Sequence, residues 1–218
     1  MNNNNVNGDD WVNKPTDRFV LRWIKRTISA RITPKLWKYS WLKPWMITLA
    51  SAFSGIIGGA VFALGFGFIA GLFAGMSQVL DGVDGQYART TGSATRAGAL
   101  FDSVLDRFSD GAMMIGMVIY LVRIPVSQPL WLILLLGAFA FLGSNGVSYS
   151  SARAEALGID PGKPTLASKG TRSAVMVICA LGTVFWPPLP LIALIYLVIH
   201  PNGILIWRLV RAYRSERE

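Results

Sequence analysis

The sequence predicts an all-α, polytopic membrane protein with about six transmembrane helices and an amphipathic helix at the interface before them. Three observations carry this prediction. Of 218 residues, 52% are hydrophobic and only 15% charged, far from the usage of soluble domains. Apolar runs of membrane-spanning scale fall at 46–64, 66–84, 98–122, 130–150, 173–188 and 189–207. The Lys and Arg residues gather in the connections on one side of those runs.

Residues 1–14 are Asn-rich and polar, with no apolar core of the kind a secretory signal needs, and are expected to be a disordered tail. Residues 15–43 form a basic juxtamembrane segment. Val20, Trp23, Ile24, Ile28 and Ile32 recur in it at helical spacing, while Arg18, Arg22, Lys25, Arg26 and Lys35 mostly fall elsewhere on the wheel. Such a helix lies in the interface against anionic lipid, or merely sets topology as a solvated basic helix. Pro44 suits the first position of the first span. The transmembrane domain then occupies 44–207, and 208–218 is a basic tail. Pro187, Pro188 and Pro190, and then the run from His200 to Gly203, interrupt the last two spans. A kinked or split final helix, or five spans plus a surface helix, is the alternative.

Charge placement sets the orientation. Nine of the 21 Lys and Arg residues precede the first span: Lys14, Arg18, Arg22, Lys25, Arg26, Arg31, Lys35, Lys38 and Lys43. Arg89, Arg96, Arg153, Lys163, Lys169, Arg172, Arg208, Arg211, Arg214 and Arg217 fall on the same side when six spans are threaded, whereas Arg123 lies opposite. Both termini are therefore expected in the cytoplasm. The net charge of +9 belongs to the membrane surface, and no nucleic-acid partner is expected. Cys179 is a lone apolar-flanked cysteine, which excludes a disulfide framework, and the single His200 beside Pro201 reads as a helix-break residue. The pairs Gly55/Gly59, Gly67/Gly71 and Gly71/Gly75 signal either close packing within the chain or a dimer face.

The feature that demands explanation lies between Asp81 and Asp106, DGVDGQYARTTGSATRAGALFDSVLD. Each Asp at the centre of a membrane helix costs about 2.5 to 3.5 kcal/mol, so Asp81, Asp84, Asp102 and Asp106 together approach roughly 10 kcal/mol. Asp81 and Asp84 are spaced i, i+3, and Asp102 and Asp106 i, i+4, so each pair projects from one helix face. Two such helices side by side would gather an oxygen-rich pocket without His or Cys. That chemistry suits Mg²⁺, Mn²⁺ or Ca²⁺ and not Zn²⁺ or copper. Gly85, Ala88 and Gly98 remove bulk where helices or a ligand approach, and Arg89 offers a guanidinium for a diphosphate or a carboxylate. Asp110, one more turn along, reads as a polar residue near the cavity.

The pattern D-x-x-D-G-x-x-A-R, eight residues, G-x-x-x-D-x-x-x-D is complete in this chain and resembles the signature of the CDP-alcohol phosphotransferase family. The stretch Leu42 to Thr48 is similar to the family's entry to its first span, although Trp45 stands where that pattern has Asn. The resemblance implies an integral membrane enzyme that transfers a phosphate-bearing group from a CDP-linked donor to an alcohol hydroxyl and releases CMP. It implies that Asp81, Asp84, Asp102 and Asp106 hold two divalent cations, Mg²⁺ or Mn²⁺, and that Asp106 is the general base, with Asp102 the alternative. It further implies that Gly85, Ala88, Arg89, Gly98 and Thr48 receive the CDP donor, and that Arg153, Lys169 and Arg172 receive a phosphorylated acceptor. A homodimer in the cell membrane, with the active-site mouth cytoplasmic, completes the expectation.

Two donors fit. A CDP-lipid such as CDP-diacylglycerol would make this an enzyme of phospholipid biosynthesis. A soluble CDP-alcohol such as CDP-inositol, with inositol phosphate as acceptor, would give a phosphodiester solute. A divalent-cation transporter is the reading from another class, and it needs access from both faces, whereas the carboxylates all map toward one half of the bilayer.

Overall fold

In the computed structural model, residues 12, 19–39, 41–160, 162 and 168–215 are described, and every regular element among them is helical. Most of the tail 1–14, together with Asp17, Arg18, Lys163 and Arg217, lies outside the described residues. The N-terminal segment is α1 (Phe19–Ile24), a π-helical turn (Lys25–Ser29) and α2 (Ala30–Leu36). The bundle that follows comprises α3 (Pro44–Ala63), α4 (Gly67–Thr90), α5 (Arg96–Arg123), α6 (Leu130–Leu157), α7 (Lys169–Leu181) and α8 (Pro190–Ser215).

By length and composition, α3, α6 and residues 190–214 of α8 are long and apolar enough to cross a membrane. Helices α4 and α5 carry the carboxylates, and α7 is only 13 residues long. The run expected to extend to 188 ends its α-helix at Leu181 and closes in a 3₁₀ turn at Gly182–Val184. Pro187 and Pro188 have no N–H to continue the helix, and the Thr183 hydroxyl donates to the Ala180 carbonyl at 2.7 Å. The final helix, by contrast, runs unbroken through Pro201. Its weak point is held by Asn202, whose Nδ2 donates to Val198 O at 2.7 Å and across to Phe139 O of α6 at 3.0 Å.

Two helix starts have local causes. Pro44 opens α3. Thr95 caps α5, its Oγ1 accepting from the Gly98 N–H at 3.0 Å. Gly92, at φ 65°, supplies the left-handed residue in the turn between α4 and α5.

Helix α3 packs along both α4 and α5, while α4 and α5 barely touch each other; α7 lies on α4, and α8 on α6. The α3–α5 seam is made of small residues. A Cβ added at Gly59 would collide with the Ala112 carbonyl, and one added at Gly116 with the backbone of Gly59. Gly67 and Gly71 likewise face Thr183 and Leu181. Close packing within the chain therefore accounts for the Gly55/Gly59 and Gly67/Gly71 pairs. Phe62, Met117, Leu121, Ile133, Leu194 and Leu197 form the apolar core.

The N-terminal segment departs from the wheel read from sequence. Its inner face is polar: Lys25, Ser29 and Thr33 are buried, Ile24, Ile28 and Ile32 are half-buried, and Trp23 is exposed. Hydrogen bonding to α4 drives this choice, with Ser29 Oγ donating to Val79 O at 2.9 Å and Thr33 Oγ1 to Gln86 Oε1 at 2.8 Å.

Candidate active site

The carboxylate-bearing halves of α4 and α5 converge at one end of the bundle, with the start of α3 on one side and the start of α7 on the other. Because α3 takes up the contact surface of both helices, a gap remains between them. It forms a cavity of about 740 Å³ bounded by Pro44, Trp45 and Thr48 of α3, Asp84, Gly85, Ala88 and Arg89 of α4, and Gly98, Phe101 and Asp102 of α5. Every residue expected to receive the donor thus lines one space. The small side chains at 85, 88 and 98 are what leaves it open, and at Gly98 an added Cβ would meet only Thr95.

Carboxylate oxygens of Asp81, Asp102 and Asp106 lie within 4.8 Å of one another. Asp102 joins this trio to the cavity, where Asp84 stands opposite it. Asp84 is 5% exposed, and its Oδ2 accepts no hydrogen bond among the described residues. A buried carboxylate oxygen without a donor is costly. Such an atom, beside three more carboxylates and, among the described residues, no His or Cys, is what a hard divalent cation satisfies, so the residues fit the ions the signature implies.

Lys169, the first residue of α7, reaches into this cluster. Its Nζ is 2.8 Å from Asp81 Oδ1 and 2.6 Å from Asp106 Oδ2. Its place is therefore among the carboxylates, nearer the reacting centre than its position in a basic loop suggests.

A second polar group lies beside the first, and sequence reasoning missed most of it. Arg172 is 1% exposed and donates to Ser148 Oγ at 3.2 Å. Arg107 donates to the same hydroxyl at 2.6 Å and sits 3.8 Å from Asp110. Arg208 donates to Ser150 and Ser151, both at 2.8 Å, and to Val147 O at 2.9 Å. Three guanidiniums from α5, α7 and α8 thus surround the serines at the end of α6. The signal was available: Arg107 is a cation within an apolar helix, as costly as the Asp residues beside it. Arg208, by its place in the sequence, reads only as a topology charge. Arg153 is not part of this group; it is exposed and makes no hydrogen bond or ion pair among the described residues.

Residues 41–207 match the family model for CDP-alcohol phosphatidyltransferases, and the chain belongs to that family. Among characterised relatives, it is 33% identical over 137 residues to the bifunctional IPC transferase and DIPP synthase of Thermococcus kodakarensis, covering 63% of this chain and 30% of that one. It is 32% identical over 114 residues to the archaetidylinositol phosphate synthase of Pyrococcus horikoshii, covering 52% of this chain and 55% of the relative. The chain thus spans from under a third to about half of the length of these relatives. In three dimensions it resembles the Mycobacterium tuberculosis phosphatidylinositol phosphate synthase solved with CDP-DAG bound, at TM-score 0.74 and 24% identity over 85% of this chain and 94% of that one. The same enzyme in complex with manganese and citrate superposes equally well. These likenesses establish the shared fold.

Proposed function

We propose that this protein transfers a substituted phosphate from a CDP-linked donor, most favourably a CDP-lipid such as CDP-diacylglycerol, to the hydroxyl of a phosphorylated polar alcohol, releasing CMP. The observation that carries the reading is the cavity lined by Asp84 and Asp102, with Asp81 and Asp106 gathered around Asp102 in an oxygen-rich cluster. In it, Gly85, Ala88 and Gly98 receive the cytidine end of the donor, Thr48 lies at the α3 wall, and Arg89 holds the diphosphate. Asp81, Asp84, Asp102 and Asp106 would hold two divalent cations, Mg²⁺ or Mn²⁺, which when bound neutralise the diphosphate and the departing CMP.

The acceptor oxygen forms a bond to the phosphorus that carries the alcohol or lipid substituent. The phosphoanhydride bond to CMP breaks, and CMP leaves with the electron pair. Asp106 takes the hydroxyl proton; general-base assistance of this kind contributes about 10² to 10⁴-fold. Arg107, Arg172 and Arg208 make the neighbouring guanidinium cluster that would hold the acceptor's own phosphate, and Lys169 stands among the carboxylates beside it.

Relatives named as archaetidylinositol and phosphatidylinositol phosphate synthases support an inositol phosphate acceptor and a lipid donor, as does the CDP-DAG bound by the mycobacterial enzyme. The match to bifunctional IPC transferase and DIPP synthases supports the soluble-donor reading. The deciding assay is CMP release by protein purified with Mg²⁺ or Mn²⁺, offering CDP-diacylglycerol or CDP-inositol against inositol phosphate, glycerol phosphate, inositol and serine. Metal-dependent release from the lipid donor supports the proposal; release from CDP-inositol alone replaces it with the soluble reading.

The same proposal includes six membrane crossings by α3 to α8, with residues 15–43 lying in the interface and both termini, the site mouth and the tail 208–218 in the cytoplasm of a homodimeric cell-membrane enzyme. Exposed Trp23, Trp37 and Trp41 beside Arg22, Arg26, Arg31 and Lys38 support the interfacial placement. Reporter fusions at each end, active only in the cytoplasm, test the orientation.

A further inference from the structure

Gln86 occupies one of the unspecified positions inside the D-G-x-x-A-R motif, yet it is completely buried. Its side-chain amide is fully used. Nε2 donates to the carbonyls of Lys25 at 3.0 Å and Val12 at 3.1 Å, and Oε1 accepts from Thr33 Oγ1 at 2.8 Å. The backbone of the N-terminal segment is shaped around this contact. The helix between α1 and α2 widens into a π turn at Lys25–Ser29, so that the Lys25 carbonyl is met by the N–H of Ala30. Widening of this kind re-aims a carbonyl sideways, and Gln86 is the group it meets.

The contact is close along its whole length. Val79, Gly82 and Gln86 are spaced i, i+3 and i+7 and make one stripe of α4. Val79 O accepts from Ser29 Oγ at 2.9 Å, and a Cβ at Gly82 would run into the Ser29 hydroxyl. On a 3.6-residue helix, Asp81, Asp84 and Ala88 lie on the opposite side of α4. Nearby, the Tyr87 hydroxyl donates to Leu42 O at 3.1 Å, tying the same turn to the entry of α3.

A membrane helix that carries two carboxylates toward a cation site gains from water exposure if it rotates, so its rotation must be held from behind. We propose that Gln86, locked by Thr33 and the Lys25 carbonyl, is a positioning residue: it fixes the rotation of α4 so that Asp81 and Asp84 face Asp102 and Asp106. This inference rests on the metal-dependent reading above. The N-terminal segment is thereby part of the active-site scaffold as well as a surface anchor.

The test is a Mn²⁺ titration by electron paramagnetic resonance on full-length protein in detergent, with thermal unfolding in parallel. It compares wild type, Gln86→Leu, Thr33→Val, the double variant, and Ser54→Ala. Ser54 is another buried residue, whose hydroxyl donates to Phe73 O at 2.8 Å and lies outside the lock. Gln86→Leu is expected to weaken Mn²⁺ binding about tenfold and Thr33→Val about threefold, with the double variant no weaker than Gln86→Leu because the bond from Thr33 is already lost when Gln86 is replaced. Turnover of the CDP donor should lose kcat in the same proportion, with little change in KM. Ser54→Ala should lower only the unfolding temperature. Variants that unfold earlier yet bind Mn²⁺ as wild type does would overturn the proposal, and Thr33→Val carries the test if Gln86→Leu does not fold. A wild-type protein that binds Mn²⁺ but releases no CMP overturns the proposed reaction and leaves the positioning role standing.

Discussion

Lys169 Nζ lies 2.6 Å from Asp106 Oδ2 and 2.8 Å from Asp81 Oδ1, so a single ammonium on α7 joins carboxylates carried by α4 and α5. Removing it leaves like charges facing one another with less water to screen them. Lys169→Met is therefore expected to destabilise the metal-free protein by about 2 kcal/mol or more. Added Mn²⁺ should restore more stability to the variant than it adds to wild type, since the ion binds only the folded cluster. Thermal unfolding with and without Mn²⁺ measures this; equal losses in both conditions would show that the lysine serves the fold alone.

The roles proposed for Asp102 and Asp106 predict different losses. Asp102 belongs both to the carboxylate trio and to the cavity wall. Asp102→Asn is expected to weaken Mn²⁺ binding more than Asp106→Asn does. Asp106→Asn should instead lower kcat for CMP release by about 10² to 10⁴-fold at saturating metal. The reverse pattern in paired Mn²⁺ titrations and turnover assays would move the base to Asp102.

Arg172 is buried against Ser148, a hydroxyl it shares with Arg107. Arg172→Lys keeps the charge but loses the planar fork, and is expected to raise KM for a phosphorylated acceptor about tenfold, or ~1.4 kcal/mol. The KM of the CDP donor should stay put. A rise for the donor instead would place the arginines on the other substrate.

Gly116 and Gly59 let α3 and α5 touch backbone to backbone. Gly116→Ala must push the helices apart, at an expected cost of about 1–3 kcal/mol. Since Thr48 on α3 and Asp102 on α5 border the same cavity, donor KM should rise along with the fall in unfolding temperature. Unchanged unfolding would mean that the seam can relax.

Much of this molecule was decided along the chain. The apolar runs specify helices because a bilayer offers backbone groups no other partner. Pro44 and Thr95 mark helix starts through local geometry and one hydrogen bond. The spacings of Asp81 with Asp84 and of Asp102 with Asp106 place each pair on one face, since helical periodicity is a property of the chain itself. What only the tertiary structure decided are meetings between distant segments. Arg107, Arg172 and Arg208 converge on α6 serines because α5 and α8 pack on that helix and the Arg172 side chain reaches across from α7. Lys169 enters the carboxylate cluster because α7 begins beside it. The N-terminal helix turns its polar stripe inward because Gln86, 53 residues beyond Thr33, offers it buried hydrogen bonds. A period read along one helix cannot register a partner on another, and that is where residue-by-residue reading stops.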